Sequence, residues 1–357
     1  MRVAYIEIDT HAEIARNFRE LSRDFTSLEI DYYFSARILS ELQLFPTGNI
    51  YKSDSKVLLE QLNVHSYDLV IIGTAHRYFS LFLEIQKGFN TYVITHNLNF
   101  CRRRTSFLLK SILKGDRVYR LKLLLKEGLL SAPKVFADSS RLLVLDQDLH
   151  KGAAKVLPLF YTKNTPPTKA GEFLIVIPGE VSQKRRDYRE VLKRLREYGL
   201  KAASQKDSRE TLKRVHVVFL GRARGKELRW LEELKFKHYA ALNIEFFTHT
   251  VSSSHFDEVL SRAALIWCPL HRKTRFFGGT ELYGTTKMTG AIGDAIKFST
   301  PLLLPSFYKS SCPLVQSSKG SAISSLIEEQ PAEKIPYERY VKSKVSRELE
   351  SLLLQLK

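Results

Sequence analysis

The feature that most constrains this chain is an alternation of short, continuous apolar runs with segments of helical periodicity. In the first half, the apolar runs occupy residues 3–8, 68–73, 91–96 and 134–138. Helical spacing of apolar residues follows the first run over 12–21 and the second over 78–85. Strands of a parallel sheet are buried on both faces, so they read as unbroken apolar runs with helices between them. The first half is thus predicted to be a doubly wound α/β unit.

The alternation restarts after residues 161–172, a predicted linker with two prolines, one glycine and no apolar period. The second set of apolar runs occupies residues 173–179, 215–221, 243–249, 264–270 and 301–305. Helical segments are predicted after these runs, beginning near residues 186, 226, 255 and 287. We therefore expect an α/β protein of two Rossmann-like doubly wound domains that face each other across a cleft, over residues 1–165 and 166–336. A C-terminal helix over 337–357 is expected to pack back on the first domain.

The composition is that of a folded, positively charged protein. Of the 357 residues, 44% are hydrophobic and 26% are charged, which excludes low-complexity and mostly disordered chains. The 56 Lys and Arg residues outnumber the 38 Asp and Glu residues and leave a net charge of +18. Such an excess of positive charge predicts an anionic partner: a phosphorylated substrate, a nucleic acid or an acidic lipid surface.

The three cysteines, Cys101, Cys268 and Cys312, show no CxxC spacing and no clustering with histidine. Their placement argues against a disulfide framework or a structural zinc site and fits a reducing compartment. Glu7 and Asp9 interrupt the first apolar stretch, and nowhere do about 18 consecutive apolar residues occur. We therefore expect a cytoplasmic protein that neither carries a signal peptide nor spans a membrane.

Residues 278–305, GGTELYGTTKMTGAIGDAIKFSTPLLLP, contain the strongest candidate for a ligand-binding motif. We expect Gly284, Thr285 and Thr286 to open a helix, whose first N–H groups lack internal partners and would bind an anion such as a diphosphate. Lys287 in that first turn would oppose the helix dipole unless an anion were bound. Lys287 is therefore a candidate phosphate ligand; the alternative is a lysine that points to water.

This motif resembles the donor-binding domain of GT-B fold glycosyltransferases, particularly the large retaining family numbered four, whose best-known signature is Glu-x7-Glu. Glu281 stands at the first glutamate, Tyr283-Gly284 replaces the family's Phe-Gly, and Thr289 stands in place of the second glutamate. In the family, the first glutamate faces the hydroxyls of the donor sugar and the second faces the nucleotide ribose. The resemblance implies that Glu281 holds the donor sugar and that the ribose contact is altered at Thr289. Gly279 would either let the backbone approach the sugar closely or form part of a flexible loop.

The resemblance covers about residues 173–305. The segment IPGEVSQKRRDY is similar to the family's first strand and loop, in which a cation grips the diphosphate. Arg185, six residues after Gly179, takes that position, with Lys184 and Arg186 as alternatives. Fixed cations in a dry cleft stabilise a departing nucleoside diphosphate without a metal. The resemblance therefore implies a nucleotide-diphosphate-sugar as donor substrate and no metal or other cofactor.

The stretch NIEFFTHTVSSSHF is similar to the strand and loop that lie beside the nucleotide base in the same family. Backbone groups between Thr248 and Val251 would contact the base. His249, a single histidine after a predicted strand, is expected to be structural and not catalytic.

Polar residues in the first half stand at the ends of three predicted strands. Asp9 and His11 follow the first strand, His76 follows the second, and His96 and Asn97 follow the third. Ligands of doubly wound sheets bind at the carboxyl ends of the strands, so these residues are candidates for binding an acceptor hydroxyl or phosphate. In an inverting enzyme, His11 or Asp9 would be the base. The alternative is that residues after the first strand merely cap the next helix.

Residues 101–127 contain nine Lys or Arg and only two acids, with apolar residues interleaved at helical spacing. A basic amphipathic segment of this kind can lie on an anionic membrane surface and would bring a lipid-linked acceptor within reach. The alternative is an ordinary helix with its apolar face toward the core and its lysines in water.

Together these features predict a glycosyltransferase that moves a sugar from a nucleotide-diphosphate-sugar to a hydroxyl of a glycan or lipid-linked acceptor, with retention and without a metal. Synthesis of a cell-surface polysaccharide or glycoconjugate is the expected setting. A sugar-nucleotide epimerase or phosphorylase of the same fold and a catalytically silent domain are the alternatives within this architecture. A nucleic-acid-binding protein is the alternative from another class, but the basic runs contain few of the aromatic residues that would stack on bases.

Overall fold

A computed structural model describes residues 1–103, 105, 108, 117–149, 154–163, 173–204, 214–237, 239, 241–318, 323, 325 and 337–357. The chain divides into two units. The first comprises Met1–Phe160, Arg275–Met288 and Val341–Lys357, and the second comprises Tyr161–Thr274 and Thr289–Tyr340. Most of the predicted linker, residues 164–172, lies outside the described residues.

The first unit is built on a parallel sheet of seven strands in the order β3-β2-β1-β4-β5-β6-β7. The strands are β1 Arg2–Glu7, β2 Glu29–Phe34, β3 Ile50–Lys52, β4 Leu69–Ile72, β5 Thr91–Ile94, β6 Leu142–Val144 and β7 Lys155–Val156. Strands β2 and β3 are added on one side of β1, and β4 to β7 are then added on the other side of β1. The carboxyl ends of β1 and β4 therefore mark the switch point at which sheets of this kind bind ligands.

Helices cover this sheet and bury its apolar strands. They are α1 Ala12–Ser22, α2 Ala36–Leu42, α3 Leu58–Asn63, α4 Phe79–Gly88, α5 Leu98–Cys101, α6 Arg117–Lys126 and α7 Ala132–Val135. In α4, for example, Phe79, Phe82 and Ile85 are fully buried at helical spacing, in the same core cluster as the strands.

The C-terminal helix, Lys342–Gln355, belongs to the first unit. Its Ser346 hydroxyl donates to the carbonyl of Leu21 at the end of α1, at 2.9 Å. Its Glu350 carboxylate accepts hydrogen bonds from the N–H groups of Thr26 and Ser27. These contacts fix the last helix against the loop that leads into β2.

The second unit repeats the architecture with six parallel strands in the order β10-β9-β8-β11-β14-β15. The strands are β8 Phe173–Pro178, β9 Val215–Arg222, β10 Leu242–Phe247, β11 Leu265–Trp267, β14 Leu302–Leu304 and β15 Val315–Ser317. The helices are α8 Tyr188–Ser204, α9 Gly225–Phe236, α10 Ser253–Arg262 and α11 Ala291–Lys297. Two parallel-sheet α/β domains confirm the predicted fold class.

The first sheet differs from the sequence prediction in two ways: residues 134–138 are not a strand, and strands β2, β3, β6 and β7 were not predicted. Residues 134–138 do not form a strand, because Pro133 stands in the first turn of α7 and favours a helix there. Strand β2 was not predicted, because Asp31 interrupts its apolar residues. Asp31 is nevertheless buried, since its carboxylate accepts hydrogen bonds from Arg2 at 2.9 Å and from the Tyr67 hydroxyl at 2.7 Å.

The segment Arg275–Met288 lies in the first unit, although the expected boundaries placed it in the second. It contains most of a separate two-stranded sheet, formed by β12 Lys273–Phe276 and β13 Gly279–Leu282. Phe276 and Phe277 pack on Phe100 of α5, with ring centroids 5.2 Å and 5.1 Å away. Burial of these rings explains why this piece of chain joins the first unit.

Candidate functional site

Three histidines lie together at the carboxyl ends of β1, β4 and β5. The ring of His11 stacks on the ring of His96, with centroids 3.9 Å apart and an interplanar angle of 19°. The ring of His76 lies 6.0 Å from His11 and 5.9 Å from His96. Each of the three residues is partly exposed. This histidine cluster (His11, His76 and His96) occupies the switch point of the first sheet.

Hydrogen bonds fix the orientation of two of the rings. His96 Nε2 lies 3.1 Å from the carbonyl oxygen of Gly73, so this nitrogen carries the proton and donates. The side-chain amide of Asn97 donates to His76 Nε2 at 3.2 Å. The Asn97 amide oxygen in turn accepts a hydrogen bond from Lys287 Nζ at 2.7 Å. Asn97 therefore connects the ammonium group of Lys287 to the histidine cluster.

The three imidazoles are neutral at physiological pH. Burial lowers the pKa of His11 to about 4, and the positive charge of Lys287 lowers it further. Burial, with repulsion from His11 and Lys287, lowers the pKa of His76 to about 3. Burial also holds the pKa of His96 well below its usual value. The cluster consequently presents neutral imidazoles next to one ammonium group.

A buried carboxyl group, Glu7 at the end of β1, supports the loop that carries His11. Its Oε1 accepts hydrogen bonds from the N–H groups of Asp9 at 3.0 Å and Thr10 at 3.2 Å, and its Oε2 accepts one from the Thr74 hydroxyl at 2.6 Å. Burial raises the pKa of Glu7 to about 7. Only glycine fits at Gly73, because a Cβ atom there would lie 2.7 Å from Glu7 Oε2.

Sequence reasoning treated Glu7 only as an interruption of an apolar run. The sequence did offer a signal for its role: an acid inside an otherwise apolar strand. Such a group is stable when buried only if its hydrogen bonds are satisfied.

Asp9 lies next to the histidine cluster in sequence but faces a different set of charges. Its side chain is buried, and burial raises its pKa while the charge of Arg77 opposes this shift. Arg77 forms a bidentate ion pair with the buried carboxylate of Glu127. Its Nε donates to Oε2 at 2.9 Å and its Nη2 donates to Oε1 at 2.6 Å. Helix α1 begins with His11 as its N-cap and has no side-chain capping hydrogen bond. The capping alternative is therefore not what the structure shows.

Glu281 is fully buried in the first unit and binds the protein itself. Its carboxylate accepts hydrogen bonds from the N–H groups of Asn99 and Phe100 at 3.1 Å and 2.8 Å, and from the Thr286 hydroxyl at 2.7 Å. The guanidinium group of Arg103 lies 3.9 Å away. Both carboxylate oxygens are thus engaged, which corrects the expectation that Glu281 is presented to a donor sugar; in this structure it ties β13 to α5.

Gly284, Thr285 and Thr286 form a tight turn and do not open a helix. The N–H groups of Thr285, Thr286 and Lys287 all point to the carbonyl of Leu282, at 2.8 Å to 3.1 Å. Gly284 has a φ of 73°, which closes the turn and which residues other than glycine rarely adopt. The helix begins only at Ala291. The predicted anion site at a helix start is therefore wrong, because its donors are already used.

The remaining residues of this motif are also occupied by protein contacts. Gly279 lies against the guanidinium group of Arg103, which would overlap a Cβ atom at this position. The absence of a side chain at Gly279 therefore leaves room for the Arg103 guanidinium. Tyr283 is buried in the first unit. Thr289 is buried in the second unit, with its hydroxyl 3.7 Å from the sulfur of Cys268.

The predicted diphosphate loop follows β8, the strand at the switch point of the second sheet. Gly179 has a φ of 90° and lies against the guanidinium group of Arg186, which donates to the carbonyl of Glu180 at 3.3 Å. Arg185 is exposed. Thr248 is exposed after β10, and Val251 is half-buried just beyond it. The second unit thus holds these donor candidates, whereas Lys287 lies with the histidine cluster in the first.

Neither a metal centre nor a membrane span is found in the described part of the chain. No three His, Cys, Asp or Glu side chains among these residues are arranged to hold a metal ion. None of the described helices has the length and apolar character needed to cross a bilayer. The basic stretch over 101–127 falls largely outside the described residues, which include only 101–103, 105, 108 and 117–127 of it.

No protein-family model matches the sequence, and no curated protein matches it. Solved structures do match. The UDP-GlcNAc 2-epimerase from Neisseria meningitidis, bound to UDP-GlcNAc, is 11% identical, with 99% of this chain and 100% of that chain covered and a TM-score of 0.52. Sucrose-phosphate synthase from Thermosynechococcus elongatus is 12% identical over 100% and 99% of the two chains, with a TM-score of 0.51. The trehalose-6-phosphate phosphatase N-terminal domain from Candida albicans is 10% identical over 99% and 93%, with a TM-score of 0.51. These likenesses show that the chain has a GT-B-like fold.

Proposed function

We propose that the protein is a glycosyltransferase that moves a sugar from a nucleotide-diphosphate-sugar to a hydroxyl group of a glycan or lipid-linked acceptor. The observation that carries the proposal is the histidine cluster, which joins Asn97 and Lys287 at the switch point of the first sheet of a GT-B-like fold. Neutral imidazoles and an amide are suited to binding hydroxyl groups, because they donate and accept hydrogen bonds without carrying charge. The cluster is therefore assigned to the acceptor.

The donor is assigned to the second unit. Gly179, Arg185 and Arg186 follow the switch-point strand β8, and Thr248 and Val251 follow β10 at the same edge of that sheet. A guanidinium group pairs well with a diphosphate and stabilises the charge that grows on it as it departs. This assignment keeps the phosphate role of Arg185 but no longer uses the turn around Gly284.

The protonation of the cluster favours transfer with retention. A general base works best when its pKa lies near the working pH, and His11, with a pKa of about 4, is a weak base at pH 7. In retaining transfer, the departing phosphate can accept the proton of the acceptor, so no strong protein base is required. We propose that the enzyme transfers the sugar with retention, as in the family numbered four, and without a metal.

The net charge of +18 favours binding to an anionic surface or polymer, and this supports a proposal about where the enzyme acts. We propose that the enzyme acts in the cytoplasm, at the inner face of a membrane, in the synthesis of a cell-surface polysaccharide or other glycoconjugate.

A sugar-nucleotide epimerase is the second candidate. It is favoured by the likeness to the Neisseria meningitidis epimerase at a TM-score of 0.52. The two candidates differ in whether an acceptor is needed. An epimerase would convert the nucleotide-sugar when it is given alone, whereas a glycosyltransferase would release the nucleotide only when an acceptor is present.

Calorimetry with a panel of nucleoside diphosphates and nucleotide-sugars, with and without EDTA, tests the proposal. We expect saturable binding of one nucleotide that EDTA does not change. Arg185→Ala should weaken that binding by about 1–3 kcal/mol, the usual contribution of a charged hydrogen bond. Arg229→Ala is the matched control, since Arg229 is an exposed arginine of α9 in the same unit. A folded protein that binds none of the nucleotides would contradict the proposal.

A further inference from the structure

We propose that the outer face of α6 docks on an anionic lipid bilayer and brings a lipid-linked acceptor to the histidine cluster. This α6 face comprises Val118, Leu121, Lys122, Leu125 and Lys126. The docking is argued from residues of the first unit, and only the role of the lipid as acceptor rests on the proposed function.

The apolar side chains of the α6 face point away from the core. Val118 is 81% exposed, Leu121 is 48% exposed and Leu125 is 73% exposed. Their separations of three, four and seven residues place them on one side of the helix. The other side is buried, because Leu123 and Glu127, the residue that follows α6, are almost inaccessible to solvent. Helix α6 therefore packs on its unit through one side and exposes apolar residues on the other.

The other long helices of the first sheet do not share this pattern. None of the large apolar side chains of α1 or α4 is exposed to this degree. The sequence left open an ordinary helix with its apolar residues toward the core, and α6 follows that alternative only through Leu123. A row of exposed apolar residues at helical spacing indicates an interaction surface.

Lysines on the same face indicate which partner fits. Lys122 lies four residues after Val118, Lys126 lies four residues after Lys122, and both lysines are exposed. Lysine is depleted in the centres of protein–protein interfaces. At a membrane, the aliphatic stem of a lysine lies along the acyl boundary while its ammonium group reaches the headgroups. Residues 101–127 carry nine Lys or Arg and two acids, so the α6 face is complementary to an anionic bilayer.

The end of α6 is fixed beside the loop that carries His76. Glu127 forms its bidentate ion pair with Arg77, the residue after His76. The N–H group of Phe79 donates to the carbonyl of Glu127 at 2.8 Å. Helices rise about 1.5 Å per residue, so Val118 lies about 14 Å along the axis from Glu127. A bilayer on the α6 face is therefore held at the part of the first unit that carries the histidine cluster.

Sedimentation with lipid vesicles tests the inference on the full chain. Vesicles of equal parts phosphatidylcholine and phosphatidylglycerol are compared with vesicles of phosphatidylcholine alone, at about 0.15 M salt. We expect the protein to bind the phosphatidylglycerol vesicles at least about tenfold more tightly, because each lysine near an anionic surface adds to the affinity. Raising the salt concentration should weaken this binding, since salt screens the charges.

Variants connect the binding to the α6 face. Leu121→Ser combined with Leu125→Ser should weaken binding to phosphatidylglycerol vesicles at least about tenfold, because two leucines no longer bury apolar surface in the bilayer. Lys122→Gln should weaken it about fivefold, the usual contribution of one lysine near an anionic surface. Phe45→Ser and Lys56→Gln are the matched controls, since both residues are exposed in the first unit outside α6.

Leu125→Trp gives a readout that does not depend on a loss of binding. Brominated lipids quench an indole that enters the bilayer, so they should quench this variant beyond the level of the unaltered protein, whose tryptophans are Trp230 and Trp267. Position 125 is exposed, so the fold tolerates the larger side chain. This measurement decides the question even if the double serine variant does not fold.

The inference is overturned if the protein binds neither kind of vesicle, if it binds both equally, if the α6 variants bind like the controls, or if Leu125→Trp is not quenched. A dimer that the double serine variant dissociates while vesicle binding is retained would assign the α6 face to a second copy of the chain and would also reject the inference. Nucleotide binding without vesicle binding would reject this inference and leave the proposed function in place. Vesicle binding through the α6 face without any nucleotide binding would do the reverse.

Discussion

Replacing Glu7 by Gln should make the stability of the first unit much less dependent on pH. Glu7 is fully buried, and burial raises its pKa from 4.5 to about 7. Between these values, the folded protein holds a proton that the unfolded chain releases, so the stability contributed by Glu7 is present below about pH 4.5 and is lost as the pH rises through about 7. Between pH 5 and pH 8, the loss amounts to about 2.5 kcal/mol, at 1.36 kcal/mol for each unit of pKa.

Glutamine can make the same hydrogen bonds, and because it does not ionise, it does not cause this loss of stability at high pH. Its oxygen can accept from the N–H groups of Asp9 and Thr10, and its amide can donate to the Thr74 hydroxyl. Relative to the unaltered protein, the Glu7→Gln variant should therefore gain about 2.5 kcal/mol of unfolding free energy on going from pH 5 to pH 8.

Urea unfolding followed by far-UV circular dichroism at pH 5, 6.5 and 8 measures this difference. Both tryptophans, Trp230 and Trp267, lie in the second unit, so their fluorescence reports separately on that unit. Glu60→Gln is the matched control, since Glu60 is an exposed glutamate of α3 in the first unit. If the free energy of unfolding of Glu7→Gln does not rise relative to that of the unaltered protein between pH 5 and pH 8, the reasoning is refuted.

Two further substitutions test the packing of each unit. Gly279→Ala should lower the stability of the first unit by about 1–3 kcal/mol, because its Cβ atom displaces the Arg103 guanidinium from its hydrogen bonds to the carbonyls of Phe276 and Phe277. Gly290→Ala, where no atom lies within 4 Å of the added Cβ, should have little effect in the same urea titration. Asp257→Asn should lower the stability of the second unit by about 2 kcal/mol, because it removes the carboxylate that lies 2.7 Å from the buried Lys297 ammonium; unchanged tryptophan fluorescence curves would contradict this.

The strands that the sequence analysis located are those whose burial is visible in their composition. β1, β4, β5 and β8 are nearly unbroken apolar runs, which only a sheet covered on both faces explains. β2 escaped detection because the partners that allow Asp31 to be buried, Arg2 and Tyr67, are 29 and 36 residues away in sequence. Local patterns cannot show such pairs.

The candidate site divides in the same way. His11, His76 and His96 could be placed together because the order of the strands brings their carboxyl ends to one edge of the sheet. The position of Lys287 beside Asn97 depends on a contact between residues 190 positions apart. The turn at Gly284 was mistaken for a helix start because glycine and threonine are common in both, and only the hydrogen bonds to Leu282 distinguish them.

The first unit is assembled from three separate stretches of the chain, and this bears on its order of synthesis. When a ribosome has released residues 1–160, the seven strands of the first sheet are available, but Glu281 and Lys287 have not yet been made. The N–H groups of Asn99 and Phe100 then lack their carboxylate acceptor, and the histidine cluster lacks its ammonium neighbour. The cluster can reach its final arrangement only after residue 288 has emerged, so a prematurely terminated chain carries the three histidines without the charge that completes their site.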